Sequence, residues 1–360
     1  MQVDSKRLNL YKEKAPELLD AVTSGETAHV MRRDETSGYC VKFEGGLCGI
    51  QNKYGSDYLP DACHFYPRIT RRFGDKFYMA ASLSCPEIAR LAIYSEEPFA
   101  FIPAPIERLP ENLKNYLSDG DMAEEEAHQL FEKFISMAED KDSPPERIIS
   151  RLSSLARSLD CLPGKDWLAA FNSLAANVDG RLPKPETEPG DPYNLLNILT
   201  GLVVSTHKPM NPRLGEVVSS IERALGVKVN WQNMTIEQVG NKSYAELREQ
   251  YYRQLSPITT APLRNWLKTE LTGATFPFGG LGKTPIQRST IIAIRFATLK
   301  LAIMSNMQQV LDAPKETIVF LAQSLARFLD HLAEPELSIA CYQEAGWLNE
   351  GRLRGLVGDA

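Results

Sequence analysis

Several signals that usually place a protein quickly are missing from this sequence. It has no long apolar run: the most apolar stretch, "IIAIRFATLKLAIM", is too short for a bilayer and carries Arg295 and Lys300. No membrane partner is therefore expected. No charged-then-apolar secretory pattern opens the chain, which points to the cytoplasm. An excess of basic charge is also missing. The net charge of −6 argues against nucleic acid as the main partner. No strand–GxGxG–acidic fingerprint of a doubly wound nucleotide fold occurs. "GGLGKT" at 279–284 imitates a phosphate loop, but the position that needs its first glycine is Pro277, and the preceding "RNWLKTELTG" reads as helix. The five histidines (His29, His64, His128, His207, His331) form neither H-x3-H nor HExxH. There is no internal repeat and no low-complexity tract.

What remains is an ordinary globular composition, 43% hydrophobic and 24% charged over 360 residues, enough for two or three domains. The informative residues are the six cysteines. Disulfides are not expected in the cytoplasm, so clustered cysteines point to metal binding or catalysis. Cys40, Cys48, Cys63 and Cys85 are spaced C-x7-C-x14-C-x21-C, with no C-x2-C pair. Spacing alone leaves a metal or iron–sulfur site and a set of buried thiols as open alternatives. Cys161 and Cys341 lie alone on apolar helical patterns and read as small core residues.

Local patterns suggest how the four are placed. "YCVKFEGGLCGI" reads as a hairpin turning at Gly45-Gly46, with Cys40 and Cys48 on either side. "PDACHFYPR" reads as a short helix that starts at Pro60 and ends before Pro67. "RITRRFGDKFYMAASL" reads as a second hairpin around Gly74-Asp75. It delivers Cys85 to a helix start, where Ser84 and Glu87 have the spacing of a capping box and Pro86 occupies the first turn. A helix N-terminus favours a thiolate. The expected unit, residues 1–98, is a small cysteine-rich α+β assembly of two hairpins and short helices. Such a unit buries little core, and a metal would supply the missing stability.

After Phe99 the character changes. "FAFIPAP" reads as a stiff linker, and residues 106–360 as an all-helical domain, with the proline-rich loop 180–192 as a candidate division. An acidic amphipathic helix is expected over 121–141, and others near 193–206, 212–226, 242–254, 260–272, 286–308 and 314–333. The predicted class is mainly α, with the small α+β unit docked on a multi-helix body.

"YCVKFEGGLCGIQNKYG", "DACHFYPRI" and "SLSCPEIARL" resemble the flagellin lysine-N-methylase (FliB) family. The likeness includes residues besides cysteine: Gly46-Leu47-Cys48, Ile50-Gln51, Tyr66-Pro67-Arg68 and Cys85-Pro86-Glu87. "NWLKTELTGATFPFGG", "AIRFATLKLAIM" and "AQSLARFLDHL" extend it over nearly the whole chain. The resemblance implies methyl transfer from S-adenosylmethionine to lysine side chains of flagellin. It also implies a cysteine-bound iron–sulfur centre on Cys40, Cys48, Cys63 and Cys85. The family's further cysteine block, resembling C…C-x-D-x-CC-x-G-W, is not in the sequence. The expectation there is a truncated chain or a member that has lost that part.

Chemistry sets what such a centre can do. Four thiolates on a [4Fe–4S] cluster leave no open iron; three leave one for the methionine end of the donor. Zinc with four thiolates is the structural alternative. Lysine methylation needs a neutral amine, so a group must accept its proton. Tyr66, beside Cys63 and His64, is the candidate acceptor. Arg68 is the candidate clamp for a cofactor carboxylate, with an ordinary salt bridge as the alternative. His64 reads as a structural neighbour of the centre. A second function class stays open: a catalytically silent, metal-stabilised flagellin-binding or other protein-interaction module.

Overall fold

Asp4 opens the first helix, α1 (Ser5–Lys14), by accepting a 2.8 Å bond from the amide of Arg7. Its Tyr11 is buried and donates its hydroxyl to the Tyr58 carbonyl at 2.6 Å. Strands β1 (Val22–Ser24) and β2 (His29–Met31) pair antiparallel. Strands β3 (Phe43–Glu44) and β4 (Leu47–Cys48) follow, turned by Gly45 and Gly46 at φ of 58° and 84°, where glycine is the residue that fits. Two short helices complete this part, α2 (Gly49–Tyr54) and α3 (Asp61–Phe65). Their shared core is small and centres on Tyr11, Leu18, Met31, Ile50 and Leu59.

The computed structural model describes all residues except 26–27, 96–100, 107, 111–112, 118–121, 207–209, 331–334 and 360. His207, His331 and the start of the "FAFIPAP" segment lie outside the described residues. Packing divides the chain into two compact units. One is Met1–Thr70 with Ile106–Leu113; the other is Arg71–Pro105 with Lys114–Ala360. The division therefore falls at Thr70 and not after residue 98. The physical reason is Phe73 and Leu83, which flank the second hairpin's return strand and are buried in the core of the helical unit together with Ala89 and Ile93. That hairpin is β5 (Arg68–Phe73) and β6 (Lys76–Ala81), followed by α4 (Pro86–Ile93). The segment 106–113 belongs with the first unit: Arg108 donates to the Leu59 carbonyl at 3.2 Å and pairs with Asp61.

The helical unit continues with α5 (Glu124–Met137), α6 (Pro145–Asp160), α7 (Trp167–Leu174), α8 (Asp191–Ser205) and α9 (Pro212–Leu225). A hairpin of β7 (Val227–Asn230) and β8 (Thr235–Gln238) interrupts the helices. Then come α10 (Tyr244–Gln250), α11 (Ser256–Ala274), α12 (Pro285–Ser305), α13 (Met307–Asp312), α14 (Pro314–Leu329), α15 (Pro335–Glu344) and α16 (Glu350–Val357). The fold is mainly α, and among the described residues every sheet has two strands. The β7–β8 hairpin corrects the expectation of an all-helical body. Val227 and Val229 are buried, and Glu222 of α9 holds the hairpin by accepting from Val229 N at 2.8 Å and Lys228 Nζ at 2.8 Å. The loop before α8 is not a division either; the compact unit runs through it.

Helix α12 lies at the centre, packed by α6, α9, α14 and α16, and is buried on nearly every side. That explains its apolar sequence. Two of its three basic side chains are paired with acids inside the body, and the third, Arg288, donates to the Pro277, Gly282 and Lys283 carbonyls. Arg295 reaches Glu270 at 3.1 Å and Asp330 at 2.9 Å. Lys300 reaches Glu146 at 2.5 Å. Among the described residues no helix is long and apolar enough to cross a membrane.

Candidate metal centre

Three of the four early cysteines meet in the first unit. Cys40 ends the segment before the β3–β4 hairpin and its carbonyl accepts from Phe43 N at 2.8 Å. Cys48 lies opposite Phe43 at the end of β4 and is the N-cap residue of α2. Cys63 sits inside α3, whose first residue is tied back to the N-cap of α1: Asp61 N donates to Asp4 Oδ2 at 3.3 Å. All three side chains are partly buried against the core built on Tyr11. The hairpin turn and two short helices are thus what bring positions 40, 48 and 63 together.

Cys40 and Cys48 are close enough to Cys63 to act on it electrically. Burial pushes the Cys63 thiol up to about 11, and the neighbouring Cys40 and Cys48 push it in the same direction. Tyr11 is pushed up mainly by burial, with Cys63 and Cys48 among the further causes. Like charges crowd here, so three thiolates would repel without a cation to hold them. A bound metal reverses that balance. In kind, then, the donors fit a thiolate-bound centre. In placement they are not yet a closed ligand set: among the described residues no group of three or more His, Cys, Asp or Glu side chains stands where it could hold an ion. Cys63 Sγ instead lies 3.2 Å from Met1 Sδ.

Cys85 belongs to the other compact unit. It occupies the N-cap of α4, at the positive end of the helix as expected, but the capping box does not form. Ser84 is turned inward and buried; its hydroxyl accepts from Ser82 Oγ at 2.7 Å and its carbonyl from Gln323 at 2.8 Å. Glu87 is held by Arg90 in a two-pronged pair at 2.8 and 2.6 Å. Cys161 is exposed at the C-cap of α6, not in the core, and Cys341 is partly buried.

Comparison with known proteins supplies no relative. No family model matches the chain, and no curated protein and no solved structure matches it.

Tyr66 follows α3 directly and is 51% exposed, so its ring is open to solvent. Arg68 is exposed and donates to the His64 carbonyl at 2.5 Å, which ties it to the same helix. The His64 ring packs edge-on against Phe65, centroids 4.9 Å apart, and burial lowers its pKa, with Arg108 next. Every residue singled out from sequence as chemically active lies before position 90. The helical unit holds a cavity of about 1010 Å³ that this reading missed. Its signal was the lysine inside "FATLKLAIM": a charge in an apolar run needs a buried partner, and Lys300 has one in Glu146 beside that cavity.

Proposed function

We propose that the chain is a lysine N-methyltransferase-like protein, transferring methyl groups from S-adenosylmethionine to lysine side chains of flagellin and carrying a cysteine-bound iron–sulfur centre in the cytoplasm. The observation that supports the centre is the packing of Cys40, Cys48 and Cys63 on one small core, with Cys40 and Cys48 both acting on the Cys63 thiol. The methyl-transfer part rests on the resemblance carried by "GLCGIQ", "CHFYPR" and "SLSCPE". Cys40, Cys48 and Cys63 would be the thiolates to hold such a cluster, which, held by three thiolates, would have one iron left without a protein ligand. Zinc is the alternative occupant. The protein's own work is on the amine. A lysine ammonium, with an ordinary pKa of about 10.4, must give up its proton before it attacks a methyl group, through desolvation, a proton acceptor or both. Tyr66, half-exposed directly after α3, is the candidate acceptor for that proton. Arg68 holds α3 through the His64 carbonyl and offers its remaining donors to a carboxylate.

The test is made on protein purified without oxygen. Iron and sulfide should be present, and a labelled methyl group should pass from S-adenosylmethionine to flagellin. Cys63→Ser should lose both the metal and the transfer, while Cys161→Ser, at an exposed helix end, should keep both. Stoichiometric zinc without iron would remove the cluster. Flagellin binding without transfer would leave only a binding module.

A further inference from the structure

The cavity in the helical unit is walled by the starts of α6 and α8, the α10–α11 segment and the C-terminal residues. One buried ammonium fixes these walls from behind. Lys300 Nζ donates to Glu146 at 2.5 Å, to the Tyr252 hydroxyl at 3.0 Å and to the Val357 carbonyl at 3.0 Å. A Cβ on Gly358 would come within 2.6 Å of the Tyr252 hydroxyl and 3.0 Å of Lys300 Nζ, so the C-terminal wall closes on the same group. Among the described residues no strand lines the cavity. Most of the lining is helical, and helical backbone has its own N–H and C=O groups paired, so recognition falls to side chains. There is no sheet edge here for an extended peptide to join.

Many polar groups around the cavity are already taken. Asp191 is held by Arg352 at 2.7 Å and Trp347 at 3.1 Å, and Asp359 by Arg147 at 2.8 Å and Arg354 at 2.7 Å. Glu188 lies 3.7 Å from Arg352, and Lys242 Nζ donates to the Arg223 carbonyl at 2.8 Å. By contrast, the hydroxyls of Thr187, Tyr193, Tyr244 and Ser256, the Arg248 guanidinium and the Glu249 carboxylate have no hydrogen-bond or ion-pair partner among the described residues. Burial pushes the Tyr244 hydroxyl up, so it stays protonated as a donor. Arg248 lies 5.7 Å over the Tyr252 ring, whereas the Tyr193 and Tyr244 rings stack on no other ring or cation among the described residues. A volume of about 1010 Å³ thus combines two unstacked aromatic rings with free donors and free acceptors. The free guanidinium and the free carboxylate offset each other, so neither an anion nor a cation is favoured outright. A ligand ammonium only donates and a ligand carboxylate only accepts, but a hydroxyl does both. A neutral ligand rich in hydroxyls therefore matches every one of these groups.

We propose that this cavity binds a neutral carbohydrate, with the apolar C–H faces of its sugar rings on Tyr193 and Tyr244 and its hydroxyls on Arg248, Glu249 and the free side-chain hydroxyls. The cavity walls carry this assignment, which is independent of the methyl-transfer reading. The test exposes the full chain, fluorescently labelled, to an array of immobilised glycans. The array holds neutral hexose and N-acetylhexosamine oligosaccharides, sialylated and sulfated ones, and a proline-rich peptide for comparison. Binding confined to neutral glycans is expected. The tightest binder is then titrated calorimetrically as the free oligosaccharide. Arg248→Ala and Glu249→Gln should each weaken it about tenfold, the loss of a hydrogen bond to a charged group, while leaving the melting temperature unchanged. No binding to any neutral glycan overturns the proposal, as does binding to charged glycans alone. Capture of the peptide in place of the sugars overturns it in favour of a protein-docking cleft. Sugar binding that both variants leave unaltered overturns the assignment to this cavity.

Discussion

Arg295 shows how much one side chain can hold in the centre of this protein. It sits on α12 between Glu270 and Asp330, and its second nitrogen donates to the Leu329 carbonyl at 2.8 Å. Burial pushes the Glu270 carboxyl up, and the Arg295 guanidinium is the first influence pulling the other way. Arg295→Met should cost about 3–5 kcal/mol in urea unfolding, since it leaves buried acids unpaired. Adding Glu270→Gln should recover part of that loss; no recovery would mean that the damage is steric. His128 gives the matching test with pH. Its ring is buried, bonded at Nδ1 to the Tyr78 hydroxyl, and its pKa is held below the ordinary value by burial first and Lys76 second. A base with a lowered folded pKa takes up its proton more readily when unfolded. Stability is therefore full above about pH 6.5 and falls as pH drops below it, until the folded-state value is reached. The urea midpoint should fall between about pH 7.5 and about pH 5.5, and fall less in His128→Gln. An equal fall in both proteins would place the titrating group elsewhere.

Helices and turns were legible in the sequence to the extent that they are local. The apolar period places α8, α9, α12 and α14 within a few residues of their observed ends, and Gly45-Gly46 marks the β3–β4 turn. The β7–β8 hairpin was not legible, because four-residue strands are shorter than the window that reveals alternation, and their anchor is Glu222 of the preceding helix. The same holds for the proline-rich stretch 180–192, which reads as an extended loop. It packs on α16: Glu186 N donates to the Gly351 carbonyl at 2.9 Å, and a Cβ on Gly355 would come within 1.9 Å of the Glu186 carbonyl oxygen. The glycines that admit it lie far along the chain, so no local pattern shows the contact. Gly355→Ala should therefore destabilise the protein by about 1–3 kcal/mol through overpacking. Gly201, inside α8, has nothing within 4 Å of the added carbon, so Gly201→Ala should stabilise by about 0.5–1 kcal/mol through helix propensity. Equal effects at the two sites in denaturant unfolding would contradict this packing of the segment.

Across the whole molecule the two compact units differ in how much holds them. The helical unit has a continuous core running from Phe73 to Val357, whereas the first unit relies on a small cluster around Tyr11 and on elements of two to ten residues. A sequence reading placed the β5–β6 hairpin with the cysteines because it follows them directly; the buried Phe73, a tertiary fact, places it with the helices. The same limit applies to the candidate centre, where the resemblance implied four cysteine ligands and the first unit contains three of them. A unit with so little apolar burial opens at lower free energy than its neighbour. Amide exchange should therefore be faster in α1, α2 and α3 than in α12. A ligand bound only by the folded form slows such opening in proportion to its binding. If Cys40, Cys48 and Cys63 hold a cluster, adding iron and sulfide without oxygen should slow exchange over residues 40–63 and leave α12 unchanged, because metal-binding energy is folding energy only for the part that supplies the ligands. Cys48→Ser should abolish that protection. Exchange that iron and sulfide leave untouched in the wild-type chain would show that these three thiols hold no cluster.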